Sequence, residues 1–393
     1  MASKEIIRRA CHDIASVVMV KIDGNSVYHE GDFESQQINH RKETTQFMSG
    51  ANVKVRNALA KMCKIFKDRT SPDVRNEWNA FVNHVDQALE KAYLKTVKCS
   101  LTEISACISG NMKSGESRTL FSTRLLLSNE DRIEYRPSLI ELTHSLNSVT
   151  KELIKVTSEL PRPLNFTNSD FLSGIDQPDK KLNYYAKISS DESILGVLVH
   201  IMNGMAACTT NLKGDIKLWY DYKALWEIDK DSFLRRYSKA ERPLESFDKD
   251  ISRYQELQDR IEAEDTIRFC SSVKVDVSAL KQTLSNHCLE WREKFTDLLQ
   301  QRALTELHSV QNDMDLVTEK GAVNKADGVT RNLPDLEKNI NSVKEIYRYL
   351  SEVPRTISLE EHELLSTLWS GWESVQEKKR DIDLLTKKSD SSF

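Results

Sequence analysis

DVSALKQTLSNHCLEWREKFTDLLQQRALTELHSVQNDMDLVTEK, residues 276–320, decides the fold class. Its apolar positions are Val277, Leu280, Leu284, Cys288, Trp291, Phe295, Leu299, Ala303, Leu307, Val310, Met314 and Val317, spaced by threes and fours. Side chains at that spacing share one face of a helix, whereas a half-buried strand requires alternation. A helix of this length runs roughly 65 Å at about 1.5 Å per residue. That exceeds the usual globular helix and suits a rod-like bundle.

The same rhythm recurs on both sides. Leu139, Leu142, Leu146, Val149, Leu153 and Val156 form a stripe opened by a capping box of Ser138 and Glu141 and stopped by Pro161-Arg162-Pro163. Downstream, Leu333, Leu336, Ile340, Val343, Tyr347 and Leu350 mark a helix with Pro334 in its first turn. Leu365, Leu368, Trp372, Val375 and Ile382 mark another, capped by Ser358 and Glu361 and set apart by Pro354. Near the N-terminus, helices are expected at about 3–22, 33–68 and 72–109, the third starting at Ser71-Pro72. The third is expected to align Val74, Trp78, Phe81, Val85, Ala88, Ala92, Val97, Leu101, Ile104 and Ile108. Only residues 120–136, two extended runs around Ser128-Asn129-Glu130-Asp131, ask for strands, as a β-hairpin that would lean on neighbouring helices. The predicted fold is therefore mainly α: elongated antiparallel helical bundles with one small β-hairpin. Its divisions are an N-terminal bundle over 1–160, a linker over 161–183, a long-helix bundle over 184–321, and a helical hairpin over 333–388 packing on the long helix.

Composition excludes several function classes. The net charge of −4, from 56 basic and 60 acidic residues, lacks the positive surplus that nucleic acid requires. Arg8-Arg9 and Lys378-Lys379-Arg380 are short and interleaved with acids, as on solvated helix faces. The apolar stretch Ile14–Val20 is too short to span a membrane, and Glu5 and Asp13 argue against a transit peptide. The seven cysteines, Cys11, Cys63, Cys99, Cys107, Cys208, Cys270 and Cys288, include no CxxC spacing. They signal neither a disulfide framework nor a zinc site and point to a reducing, cytosolic compartment.

The sequence carries no catalytic motif. None of its twelve glycines is followed by lysine, so it holds no GxxxxGK[ST] phosphate loop. His362-Glu363 opens like HExxH, but Ser366 stands where the second histidine belongs. GxSxG and GxGxxG are absent, and no cofactor is implied. Aromatic residues are the remaining candidates, because they remove large areas from water per rotatable bond. Trp226, Trp291 and Trp372 are expected to fill seams between helices, and Trp219, Tyr222 and Trp369 to face outward as partner-binding anchors. The residues by themselves describe a helical interaction protein, and a free-standing spectrin-like or tethering adaptor is one form of it.

Several segments, in order, resemble the stem of axonemal dynein heavy chains, particularly the outer-arm type. They are KIDGNSVYHEGDF (21–33), WNAFVNHVDQALEKAYLKTVKCSLTEI (78–104), LFSTRLLLSNEDRIEYRPSLIEL (120–142), YYAKISSDESILGVL (184–198), KALWEIDKDSFLRRY (223–237) and ERPLESFDKDISRYQELQDRI (241–261). Phe247, Ile251, Arg253, Tyr254 and Ile261 carry the character of the last, and Trp372-Glu373 matches a step in the family's final stem bundle. The resemblance implies a fragment that stops before the linker, ring and stalk of the motor. It implies a mechanical role in the axoneme of a cilium or flagellum. The implied partners are dynein intermediate and light chains and neighbouring heavy chains, with indirect attachment to microtubules and no binding to nucleic acid or membrane.

Overall fold

The computed structural model describes residues 2–22, 28, 31–66, 72–109, 119–163, 183–240, 242–321, 326–353 and 357–390, without the side chains of 66, 317–332, 378 and 381–390. Among these are α1 (Ala2–Ala15), α2 (Asp32–Phe66), α3 (Pro72–Ser109), β1 (Phe121–Leu127), β2 (Ile133–Arg136), α4 (Leu139–Lys155), α5 (Tyr185–Ser189) and α6 (Glu192–Trp219). There follow α7 (Ala224–Glu227), α8 (Lys230–Ser238), α9 (Leu244–Ala263), β3 (Ile267–Cys270), β4 (Val273–Asp276), α10 (Ser278–Gly321), α11 (Ala326–Glu352) and α12 (Leu359–Asp390). The fold is mainly α, as the spacing predicts. Contacts divide the chain into two compact units: Met1–Tyr222 with Asp265–Gln282, and Lys223–Glu264 with Thr283–Phe393.

In the first unit α3 is central, packing against α1, α4 and α6. Its buried face runs through Val82, Val85, Leu89, Tyr93, Val97, Leu101, Ile104 and Ile108. At its start this face lies one residue away from the expected stripe, so Val82 is buried and Phe81 only half so. α1 ends at Ala15 rather than at 22. Beyond it the chain runs extended, with Met19 donating its N–H to the Ser100 hydroxyl at 2.9 Å and Gln37 bonding both the N–H and the carbonyl of Lys21. The β-branched pair Val17-Val18 weakens the helix there. α4 matches its sequence pattern, with its whole apolar stripe buried. Its capping box is formed: Glu141 N–H donates to Ser138 Oγ at 3.2 Å, and Ser138 N–H donates to Glu141 Oε2 at 2.7 Å.

The expected hairpin is present but does not rest on helices alone. It belongs to a four-stranded sheet in the order β2-β1-β4-β3, with β1 parallel to β4 and antiparallel to β2. The second hairpin, β3 and β4, corrects the expectation of a single one. Its Val273 and Val275 are buried between half-exposed Lys274 and Asp276, a period-two pattern. The two-residue turn Ser271-Ser272 holds Ser271 at φ +51°. Asp276, expected to open the long helix, is the last residue of β4 and accepts from Ser278 N–H at 2.9 Å. Tyr135 of β2 donates its hydroxyl to the Leu212 carbonyl of α6 at 2.9 Å.

The stretch 161–183, expected as a linker, falls mostly on residues 164–182, outside the described residues. Its described ends meet in a bridge between Pro161 and Asn183, and the residues on both sides belong to one unit. The same applies to Ser71, Pro354 and residues 322–325, which the expected boundaries also involve.

In the second unit an aromatic cluster fills the seam of α8, α9 and α10. Trp291 is fully buried, stacks on Tyr254 at 5.3 Å, meets Phe233 edge-on and donates its indole N–H to the Leu225 carbonyl at 3.0 Å. Phe247, Ile251 and Ile261 line the buried face of α9. α11 and α12 pack on α10 through Ser342 to Glu306, Gln300 to Glu361, and the close approach of Gly371 to Met314. With Tyr347 donating to Glu361 beside Gln300, those pairings make α11 antiparallel to α10 and α12 parallel to it, an up-down-up bundle. Pro334 stands inside α11 rather than in its first turn, because the helix begins at Ala326. The Ser358–Glu361 capping box is formed as expected.

Candidate interaction surface

α6 presents the chain's principal candidate surface. Asp191 caps it by accepting from Ser193 N–H at 2.9 Å. From Ser193 to Leu212 it carries no charged residue. One face, Ile194, Ile201, Met205, Cys208, Leu212 and Trp219, is buried in its own unit. Gly204 permits the closest approach to α3: a Cβ there would stand 2.4 Å from Ile108 Cγ2. Beside that face an apolar stripe is open, with Leu195 45%, Val199 56% and Met202 56% exposed, next to the exposed polar residues His200, Asn203 and Thr210. These three share a stripe at steps of four and three, continued by exposed Ala206. The helix is long and apolar enough to cross a membrane, with 22% of its most apolar window buried. Its packed face shows that it serves as a core helix of the first unit.

The aromatic anchors expected from sequence divide between the two units. Trp219 is only 2% exposed and is therefore not the outward anchor expected. It lies at the end of the buried stripe of α6, with Arg268 at 5.4 Å from its ring and Tyr222, half-buried, at 6.1 Å. Its indole N–H has no hydrogen-bond partner among the described residues. Trp369, in the second unit, is half-buried, with Lys344 at 6.0 Å over its ring. Of the three expected seam fillers, Trp291 is fully buried, while Trp226 and Trp372 are half-buried. The open α6 face was missed. The uncharged run over 193–212 is the signal that could have found it, because an apolar stripe beyond the packed face also needs covering.

Polar clusters serve structure. Arg162 donates to Asp86 at 2.7 Å and to Glu90 at 2.6 Å, both on α3, and to the Asn183 carbonyl at 3.1 Å. Tyr184 donates to the other Asp86 oxygen at 3.0 Å, and its ring lies 4.6 Å from the guanidinium. Burial pushes the Asp86 carboxyl up, and Arg162 and Tyr184 only partly offset it. Burial opposes the charge on Arg162, but Glu90 and Asp86 outweigh it and hold the guanidinium more firmly protonated. A cleft of about 420 Å³ involves Tyr237, Arg242, Phe247, Arg302 and Glu306, but Arg302 is already paired with Glu306 at 2.7 Å. Among the described residues no group of three or more His, Cys, Asp or Glu is placed to hold a metal.

No family model matches the chain. Over 93% of its length it is 30% identical to the dynein-1-beta heavy chain of the flagellar inner arm I1 complex of Chlamydomonas reinhardtii. Over its whole length it is 30% identical to dynein axonemal heavy chain 2 of Mus musculus. The chain is similar to one segment of each of these dynein heavy chains. It spans 8% and 9% of the length of these two relatives. The gamma chain of the flagellar outer arm of Chlamydomonas reinhardtii is 18% identical over 95% of the chain.

Proposed function

We propose that this chain is a non-catalytic stem segment of an axonemal dynein heavy chain, linking motor heads to the doublet microtubule and docking other subunits of its arm. The observation that carries it is the open face of α6, where Leu195, Val199 and Met202 are exposed over a run without charge. An apolar stripe of this size calls for a partner that removes it from water. The occupant proposed is an apolar helix face of another arm subunit, an intermediate chain or a neighbouring heavy chain. One of the similar proteins is itself named as part of a multichain arm complex, which supports that choice over a lipid surface. Identities of 30% to one inner-arm chain but 18% to both a second inner-arm chain and the outer-arm gamma chain support the dynein reading without favouring the outer-arm type. The ordered similarity along the chain favours the motor-chain reading over a free-standing adaptor.

The test is quantitative recovery of named partners from ciliated cells. The tagged chain is expected to bring down axonemal dynein intermediate chains or other heavy chains. The double variant Val199→Glu, Met202→Glu is expected to lose at least about tenfold of that recovery, as hot-spot losses of ~1.4 kcal/mol or more imply, while keeping its helical circular dichroism. Unchanged recovery by a folded double variant, or flotation of the wild type with neutral lipid vesicles in place of dynein subunits, would sink the docking reading. ATP turnover by the purified chain would overturn the non-catalytic role.

A further inference from the structure

Cys208, on the buried side of α6, and Cys270, the last residue of β3, stand 62 positions apart in the chain with their sulfurs 3.5 Å apart. Each thiol also lies against the other residue's carbonyl, Cys208 Sγ at 3.1 Å from Cys270 O and Cys270 Sγ at 3.7 Å from Cys208 O. The fold creates this pair, since nothing in the cysteine spacing announces it. Cys270 is half-buried on an edge strand beside the tight Ser271-Ser272 turn, and its neighbour Phe269 is 64% exposed. Cys208 is 2% exposed.

We propose that Cys208 and Cys270 form a reversible dithiol–disulfide site that staples α6 to the edge hairpin of the sheet. Closing 3.5 Å to a bond of about 2.05 Å needs ~1.5 Å of travel. Side-chain rotation and a small shift of the edge strand β3, paired on one side only, supply it. The oxidant is a small disulfide of the glutathione class. Cys270, the more accessible thiol, attacks as its thiolate, forming a mixed disulfide and releasing one glutathione, which takes up the proton Cys270 lost. Cys208 then gives up its proton and attacks the Cys270 sulfur. The second glutathione leaves with that proton. Two thiols are oxidised to one disulfide as one glutathione disulfide is reduced to two thiols. Reducing thiols reverse the sequence, as suits a regulatory bond in a reducing compartment.

The test uses the full 393-residue chain. The chain is reduced, incubated undenatured with oxidised glutathione, quenched in acid and alkylated after denaturation. The alkylatable thiols are expected to fall by two from the seven the sequence contains. One crosslinked peptide pair should join Cys208 to Cys270 and vanish with dithiothreitol. The reduced chain should also capture one equivalent of phenylarsine oxide, which bridges close dithiols. Cys270→Ser is expected to abolish both signals with its circular dichroism unchanged, and Cys63→Ser to retain them. Reaction that stops at a mixed disulfide on Cys270, crosslinks scattered over other cysteines, or arsenical capture that survives in Cys270→Ser would overturn the site. Should Cys208→Ser unfold, the half-exposed Cys270 variant carries the test alone.

Discussion

Arg162 neutralises two carboxylates that α3 holds close to the core, so its loss leaves Asp86 and Glu90 without their cation. Removing one partner of a buried pair is strongly destabilising because the other charge stays out of water. Arg162→Met is expected to cost about 3 kcal/mol, read as a lower urea midpoint with the slope unchanged. Adding Asp86→Asn should recover part of that loss; a neutral Arg162→Met would show the cluster to be well hydrated. Two glycines make a second contrast. At Gly204 a new methyl meets Ile108 Cγ2 at 2.4 Å, and a β-branched side chain in a helix has almost no other rotamer to adopt. Gly204→Ala should therefore destabilise by roughly 1–2 kcal/mol, overpacking outweighing the gain in helix propensity. At Gly371 the obstacle is Met314 Cε at 2.7 Å, the far end of a flexible chain. Gly371→Ala should be neutral or stabilising by up to about 1 kcal/mol. Equal thermal shifts in the two variants would refute that reasoning.

At the scale of one element, the start of α12 depends on Ser358 and Glu361. Burial pushes the Glu361 carboxyl up, but bonds from the Ser358 backbone and hydroxyl and from the Gln300 amide outweigh it, so its folded pKa lies below the ordinary value. A carboxyl depressed in the folded state adds stability above its unfolded pKa of about 4.3 and loses it as pH falls through the folded value. Ser358→Ala should cost about 1 kcal/mol near neutral pH, and its gap to wild type should narrow below about pH 4. Urea titrations across that range measure it; a gap independent of pH would detach the cap from Glu361. Both capping boxes were legible because a box is local, four residues in a row. The stripes of α4 and α10 were legible for the same reason, one helix face repeating every few residues. Trp219 was not: α6 carries apolar residues on a flank beside its packed face as well as on it, so periodicity could not say which stripe packs inward. Nor was β3 with β4, whose four-residue strands are shorter than most and flank a Ser-Ser turn without Asn-Gly. The Cys208–Cys270 contact was invisible for a third reason, since only tertiary packing brings those positions together.

For the whole molecule, the similarity to dynein heavy chains follows the order of segments along the chain rather than a catalytic motif, which is why composition alone stopped at a helical interaction protein. The division into units was also beyond the sequence, because the first unit is completed by residues 265–282 after the chain has built part of the second. The parallel pairing of β1 with β4, Phe121 opposite Val273, has a consequence for biosynthesis. The partner strand leaves the ribosome roughly 150 residues later, a delay of about 8–30 s at ordinary elongation rates. Through that interval the nascent β1 edge stands unpaired and ready to capture a strand from another chain. Such long-range closure slows folding, so that side of β1 keeps its backbone groups open to pairing until β4 arrives and the sheet is whole.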